Sequence, residues 1–209
     1  MATALLYLST ALFFANKRMT AVIVGAFAIS FHYSTVIYIA VVIILFLFVK
    51  RLSRKFFLTI FVLIVGYEIL SIDVFNVSGT LLQVLEADYF SHYATALDVT
   101  EDLALGGFRL NPQNIFYHLI GIVVLYGDLK NTNYNKAVQI YYVGLLLGAL
   151  FSFTPLAMRM QWLFFSQICW IIYFFVADSH FSSSKKINIL LIYSVTQIVL
   201  IFRQFGGYF

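Results

Sequence analysis

Five ionisable side chains interrupt or border long apolar runs: His32, Glu68, Arg109, His118 and Arg159. Their types suit a particular chemistry. A histidine titrates near neutral pH and can take a proton from a hydroxyl. Arginine presents a planar fork that grips phosphate oxygens in pairs. Arg159 follows Thr154-Pro155, the pattern of an N-cap with proline at the first helical position. It therefore falls in the second turn of a helix whose N-terminus already favours an anion. Each residue also has a plainer use. His32 can hold a turn by hydrogen bonds and His118 can settle into helix contacts. Arg159 can snorkel to lipid headgroups or pair with Glu68.

Composition sets what must position these side chains. Of 209 residues, 62% are hydrophobic and 11% charged, whereas a soluble domain carries about 25% charged residues. Most of the surface therefore cannot face water. The chain is predicted to be an all-α, polytopic transmembrane helical bundle, because in a bilayer backbone polar groups must be satisfied within helices or a closed barrel. A barrel needs alternating segments of roughly ten residues, and the sequence has continuous apolar runs instead. These are Met1–Ala15, Met19–Phe31, Thr35–Val49, Phe56–Ile72, Ile115–Tyr126, Ala137–Phe153, Pro155–Ala177 and Ile187–Phe202. Several fall short of the ~20 residues that cross a bilayer. One long connection, Asp73 to Asn114, interrupts what reads as a single transmembrane domain over residues 1–209 without repeats. No cationic region precedes the first apolar segment, unlike in a signal peptide. The chain is therefore expected to be the C-terminal part of a longer protein, or to use an internal start.

The charges fix the expected topology. The run from Met19 to Val49 is too long for one crossing of a ~30 Å core and short for two. Lys17 and Arg18 precede it; Lys50, Arg51, Arg54 and Lys55 follow. A hairpin keeps both basic groups in the cytoplasm, as the positive-inside rule prefers. Its tip, at His32, Tyr33 and Ser34, then lies on the outer side. Alternation places the loops at 16–18, 50–55, 127–136 and 178–186 inside. Those loops hold all thirteen cations except Arg109, Arg159 and Arg203. The formal charge of +4 thus reads as a membrane signature, and no nucleic acid partner is expected. His32, Glu68, Arg109, His118 and Arg159 all approach the outer face, with none at mid-depth. A proton or ion pathway would want some there, so the pattern points to a site that opens outward.

Within the outer loop, Leu81, Leu82, Leu85, Tyr89 and Tyr93 share a broad helical face, which predicts an amphipathic helix on the outer surface. Tyr89, Phe90 and Tyr93 could stack on sugar rings, or simply anchor the helix at the interface. Neither Glu86-x-Asp88 nor Glu101-Asp102 is specific enough for a metal, and the single cysteine, Cys169, offers neither disulfide nor metal cluster. No cofactor is expected. With no Gly-rich phosphate loop, chemistry on the outer face needs a substrate that brings its own leaving group. A lipid-linked sugar diphosphate meets that requirement: the arginines would stabilise the departing charge and a base would activate an acceptor hydroxyl.

Three stretches carry a family resemblance. SFHYSTVIYI resembles the FHxSA-type hairpin of the EpsG/Wzy-like bacterial polysaccharide polymerases. ADYFSHYATALDVTEDLALGGFRLNPQNI is similar to the family's loop, with tyrosines followed by a glycine pair before the next span. TPLAMRMQWLFF resembles its later helix with an arginine at the outer end. The stretches come in the family's order and cover most of the chain, though family members usually have several further spans ahead of the first one here. The resemblance implies glycosyl transfer at the periplasmic face of the bacterial inner membrane. A polyprenyl-diphosphate-linked glycan would be moved onto another lipid-linked repeat unit, extending O-antigen, capsule or exopolysaccharide. It implies Arg159 and Arg109 on the diphosphate, and His32 activating or positioning the acceptor. Tyr89 and Tyr93 would line the sugar cleft, with Glu68 and His118 beside the substrate. A chain-length regulator and a flippase are the candidate protein partners. An O-antigen ligase, a lipid-linked oligosaccharide flippase or other permease, and a non-catalytic scaffold are the rival readings.

Overall fold

The computed structural model describes residues 1–32, 35–70, 112–150 and 163–177, with 182–184, 186–188, 190, 191 and 194 beyond them. The regular structure of these residues is all helical. The helices are α1 (Ala2–Phe14), α2 (Arg18–Phe31), α3 (Thr35–Leu47), α4 (Arg54–Leu70), α5 (Pro112–Val123), α6 (Thr132–Leu150) and α7 (Ile168–Ala177). A 3-10 turn, Val124–Tyr126, follows α5. Arg109, Arg159, Tyr89, Tyr93 and the expected outer-loop helix lie outside the described residues.

Local chemistry explains where the helices stop. α1 ends in a Schellman motif: Asn16 takes the left-handed conformation (φ 59°). The Asn16 N–H donates to Phe13 O at 3.0 Å and the Lys17 N–H to Leu12 O at 2.8 Å. This satisfies two orphan carbonyls and turns the chain straight into α2. α1 and α2 then approach closely through Ser9, Thr10, Ala21, Gly25 and Ala28, all buried. Ser9 Oγ donates to Ala21 O at 2.8 Å. A Cβ on Gly25 would stand 2.8 Å from Ile39 Cδ1, so α3 approaches α2 closely there. α6 starts at Thr132, five residues before the apolar segment read at Ala137, because Asn131 caps it. Asn131 Oδ1 accepts from Asn133 N at 3.0 Å and Tyr134 N at 3.2 Å. The segment read as continuous from Pro155 to Ala177 is interrupted by a turn at Ser166-Gln167 before α7. There the Gln167 N–H reaches back to Phe164 O at 3.1 Å, and Trp170 Nε1 donates to Gln167 Oε1 at 3.0 Å.

Two apolar clusters form, and α6 belongs to both. The first joins α1, α2 and α3 with Ile140 and Phe164 around Tyr38, whose hydroxyl lies 2.9 Å from Thr10 Oγ1. The second joins α4, α5 and α7 to α6 around Phe57, Ile64, Tyr141 and Leu145. Phe14 packs on Phe46 and Phe174, bringing the C-terminal ends of α1, α3 and α7 together. Bonds from residues 51 and 52 to 130 and 135 add the N-terminal ends of α4 and α6. The cation-bearing turns at 17–18, 50–55 and 130 therefore share one end of the bundle, as alternating topology requires.

That end is held by a polar latch. Asn135 is fully buried. Its Nδ2 donates to Leu52 O at 2.9 Å and Leu129 O at 3.0 Å. Its Oδ1 accepts from Leu52 N at 3.1 Å and Gln139 Nε2 at 2.8 Å. Lys136, which the charge pattern places in a cytoplasmic loop, is instead buried within α6. Its ammonium donates to Leu45 O and Val49 O at the end of α3, where a cation satisfies carbonyls without helical partners. Among the described residues, no helix is long and apolar enough to cross a membrane. α1 and α3, at 13 residues each, are about 20 Å long.

Candidate functional site

The inward stripe of α4 runs Phe57, Phe61, Ile64, Glu68, at helical spacing of four, three and four. Phe57 and Ile64 are buried core residues. Glu68 therefore sits at a core position, one turn beyond Ile64. On α5, His118, Gly121 and Leu125 of the following turn are spaced the same way. A Cβ on Gly121 would meet Leu145 Cδ1 at 3.0 Å and Phe61 Cε2 at 3.5 Å, so α5 lies tight against both α4 and α6 one turn from His118.

The two stripes bring the ionisable residues together. His118 Nε2 lies 3.0 Å from Glu68 Oε2, with side chains 15% and 13% exposed. Phe61 meets the imidazole edge-on, with ring centroids 5.9 Å apart. Glu68 is fourteen residues along α4 from Arg54, about 21 Å from the basic end of the helix. A carboxylate beside one imidazole nitrogen orients the ring. An imidazole so placed is a group of the type that takes a proton from a hydroxyl.

Three tyrosines of α6 fix the depth and rotation of α5. Tyr141 Oη donates to Tyr117 O at 2.7 Å, Tyr142 Oη to Gly121 O at 2.9 Å and Tyr134 Oη to Val124 O at 2.6 Å. Tyr117 stacks on Phe165 at 4.0 Å, and Phe165 packs on Tyr141 at 5.0 Å. These tyrosines were not among the sequence candidates. Their spacing of seven and eight residues along one helix is the signal that marks them as a face turned to a single neighbour.

His32 is the C-cap of α2, in extended conformation (φ −155°, ψ 108°). Its carbonyl accepts from Thr35 N at 3.0 Å and Thr35 Oγ1 at 2.7 Å, so its backbone holds the entry to α3. The side chain is exposed. His32 thus lies on the α1–α3 side, while Glu68 and His118 belong to the α4–α6 side. Their common position is the end of the bundle away from the cations. Arg109, just before α5, and Arg159, before α7, lie outside the described residues, as do Tyr89 and Tyr93. The sequence alternative that paired Arg159 with Glu68 involves a residue outside the described ones. Among the described residues, no group of His, Cys, Asp and Glu could hold a metal ion.

The model of the EpsG family matches residues 1–207 of the 209-residue chain. No curated protein and no solved structure matches it.

Proposed function

Because the chain belongs to the EpsG family, we propose that it polymerises polyprenyl-diphosphate-linked oligosaccharide repeat units in bacterial surface-polysaccharide synthesis. In this reading the bundle is immersed in the inner membrane and works at its periplasmic face. The membrane placement is supported by the 62% hydrophobic composition. It is also supported by large apolar side chains exposed on several helices, among them Phe27, Val62, Leu63 and Tyr173, a pattern that calls for an apolar solvent. The cations gathered at one end suit the cytoplasmic side.

The observation that carries the chemistry is the Glu68–His118 contact, 3.0 Å long and largely buried among apolar helices. Ionisable groups in such surroundings are costly and are kept for use. An acceptor sugar hydroxyl attacks the anomeric carbon of the donor glycan. The carbon–oxygen bond to the diphosphate breaks, and polyprenyl diphosphate leaves with the electron pair. The hydroxyl proton goes to a histidine: His118, oriented by Glu68, or His32 at the same end of the bundle. Arg109 and Arg159 take the diphosphate charge, and Tyr89 and Tyr93 line the sugar cleft.

The test is Arg159→Ala, with His118→Ala and His32→Ala beside it, at the native chromosomal locus. Protein abundance in the membrane is checked before surface polysaccharide is run on a gel. A ladder collapsed to one repeat unit, with protein present, is the expected result. Loss of every repeat unit would assign the chain to ligation or export, and an unchanged ladder in all three variants would overturn the proposal.

A further inference from the structure

At the opposite end from Glu68, a cleft of about 470 Å³ opens between the 51–58 stretch and the turn at 127–130. Arg51, Arg54, Lys55 and Lys130 line it and are exposed. The one carboxylate, Asp128, is engaged in its own turn, with Oδ1 accepting the Lys130 N–H at 2.9 Å. Arg51 reaches across the cleft, Nη1 donating to Lys130 O at 3.1 Å. That bond uses one of five guanidinium donors. The walls are not loose loops: Leu52 and Leu129, which also line the cleft, are both bonded to the buried Asn135. The latch therefore fixes the spacing of the two cationic edges before any ligand arrives.

The cleft continues into an apolar surface. Leu58 lines it, and Val62, one turn further along α4, is 66% exposed. The next position on that line is Gly66, where an added Cβ would meet nothing within 4 Å. An open apolar track about 12 Å long thus runs from a cluster of four cations along one helix face. Phosphate on cations and hydrocarbon on the track match the two ends of one molecule.

We propose that this cleft is a binding site for an anionic glycerophospholipid, its phosphate held by Arg51, Arg54, Lys55 and Lys130 and an acyl chain lying along Leu58, Val62 and Gly66. The site rests on the membrane reading above. It is separate from the Glu68–His118 pair, and its occupant would tie the α4 and α6 ends together at the inner leaflet.

The full chain is reconstituted into phosphatidylcholine nanodiscs, and protease protection of its apolar helices reports insertion. Nanodiscs mixing phosphatidylglycerol with phosphatidylcholine of the same acyl chains are then analysed by native mass spectrometry for retained lipid. Phosphatidylglycerol is expected to be retained in preference. The variant Arg54→Gln/Lys55→Gln should weaken that retention roughly thirtyfold, the order expected on removing two cations from an anionic-lipid contact. Lys130→Gln serves as a second variant on the other wall. Lys17→Gln/Arg18→Gln, at the same end but outside the cleft, should leave retention unchanged. Equal loss in that control would overturn the site in favour of a diffuse field. So would the absence of preference in a chain that inserts, or displacement of the lipid by equimolar inorganic phosphate. A chain that fails to insert would instead refute the membrane reading, and this proposal with it.

Discussion

Replacing Glu68 by Gln and His118 by Phe, singly and together, measures whether the two side chains act as a unit. Glu68→Gln keeps the shape and removes the charge. His118→Phe keeps a ring against Phe61 and removes both nitrogens. Once His118 is protonated, the pair at 3.0 Å carries a bare attraction of about 5–6 kcal/mol at an effective dielectric near 20. Both side chains are largely buried, so desolvation takes back much of that attraction. Removing the imidazole strands the carboxylate and is expected to cost about 3–5 kcal/mol. In the double variant nothing is stranded, so its cost should fall short of the summed single costs by about 1–3 kcal/mol. The readout is the denaturation midpoint of all four chains in neutral detergent micelles. Costs that add within about 0.5 kcal/mol would show that the two groups are not coupled, and the chemistry assigned to an oriented His118 would fall with that result.

Three further outcomes follow from the packing. Asn135→Leu removes four hydrogen bonds to residues 52, 129 and 139; with their partners left partly buried, it should destabilise by about 3–5 kcal/mol, read as a lowered melting temperature. Gly144→Ala places a methyl 2.6 Å from Phe164 Cβ and should cost about 1–3 kcal/mol by overpacking, while Gly66→Ala, with open space around it, should leave the melting temperature unchanged or raise it. Tyr142→Phe deletes the bond to Gly121 O and should cost about 1 kcal/mol; if it also shortens the polysaccharide ladder at unchanged protein abundance, the tyrosine acts on His118 through the placement of α5.

Much of the helical pattern was legible because apolar runs and their punctuation are local. The turn after Phe14 is marked by Asn16 and two cations, the end of α2 by His32, and the break at 48–53 by basic and polar residues. α1 to α4 therefore begin and end within two residues of the segments read from the sequence. The errors share a cause. Asn131 to Lys136 is polar and reads as loop, yet the residues from Thr132 are helix because their polar atoms meet backbone carbonyls and amides of a distant stretch. Polarity marks a loop only when water is the expected partner. In the opposite direction, Ser166 and Gln167 are ordinary passengers in an apolar helix, so nothing nearby announces the turn they make.

The site was legible in kind but not in arrangement. Glu68 and His118 could be singled out because charge in an apolar segment is costly. Their contact depends on two stripes, 57-61-64-68 and 118-121-125, meeting across α6. That meeting is set by where α5 stands relative to α4, and tyrosine hydroxyls on two α5 carbonyls and one of the following turn fix α5 against α6. A tyrosine hydroxyl bonded to a main-chain carbonyl leaves no complementary side chain in the partner segment, so the partner cannot be read from residue types. The same reasoning separates His32 from His118. Both are histidines near an apolar segment, but one accepts two bonds from Thr35 at its backbone carbonyl and the other lies beside a carboxylate. A variant that breaks the hairpin should therefore impair folding whatever the imidazole does. His32→Ala leaves in place the carbonyl that holds the turn, whereas removing the His118 imidazole strands Glu68, so of the two histidines His118 carries the larger stability cost.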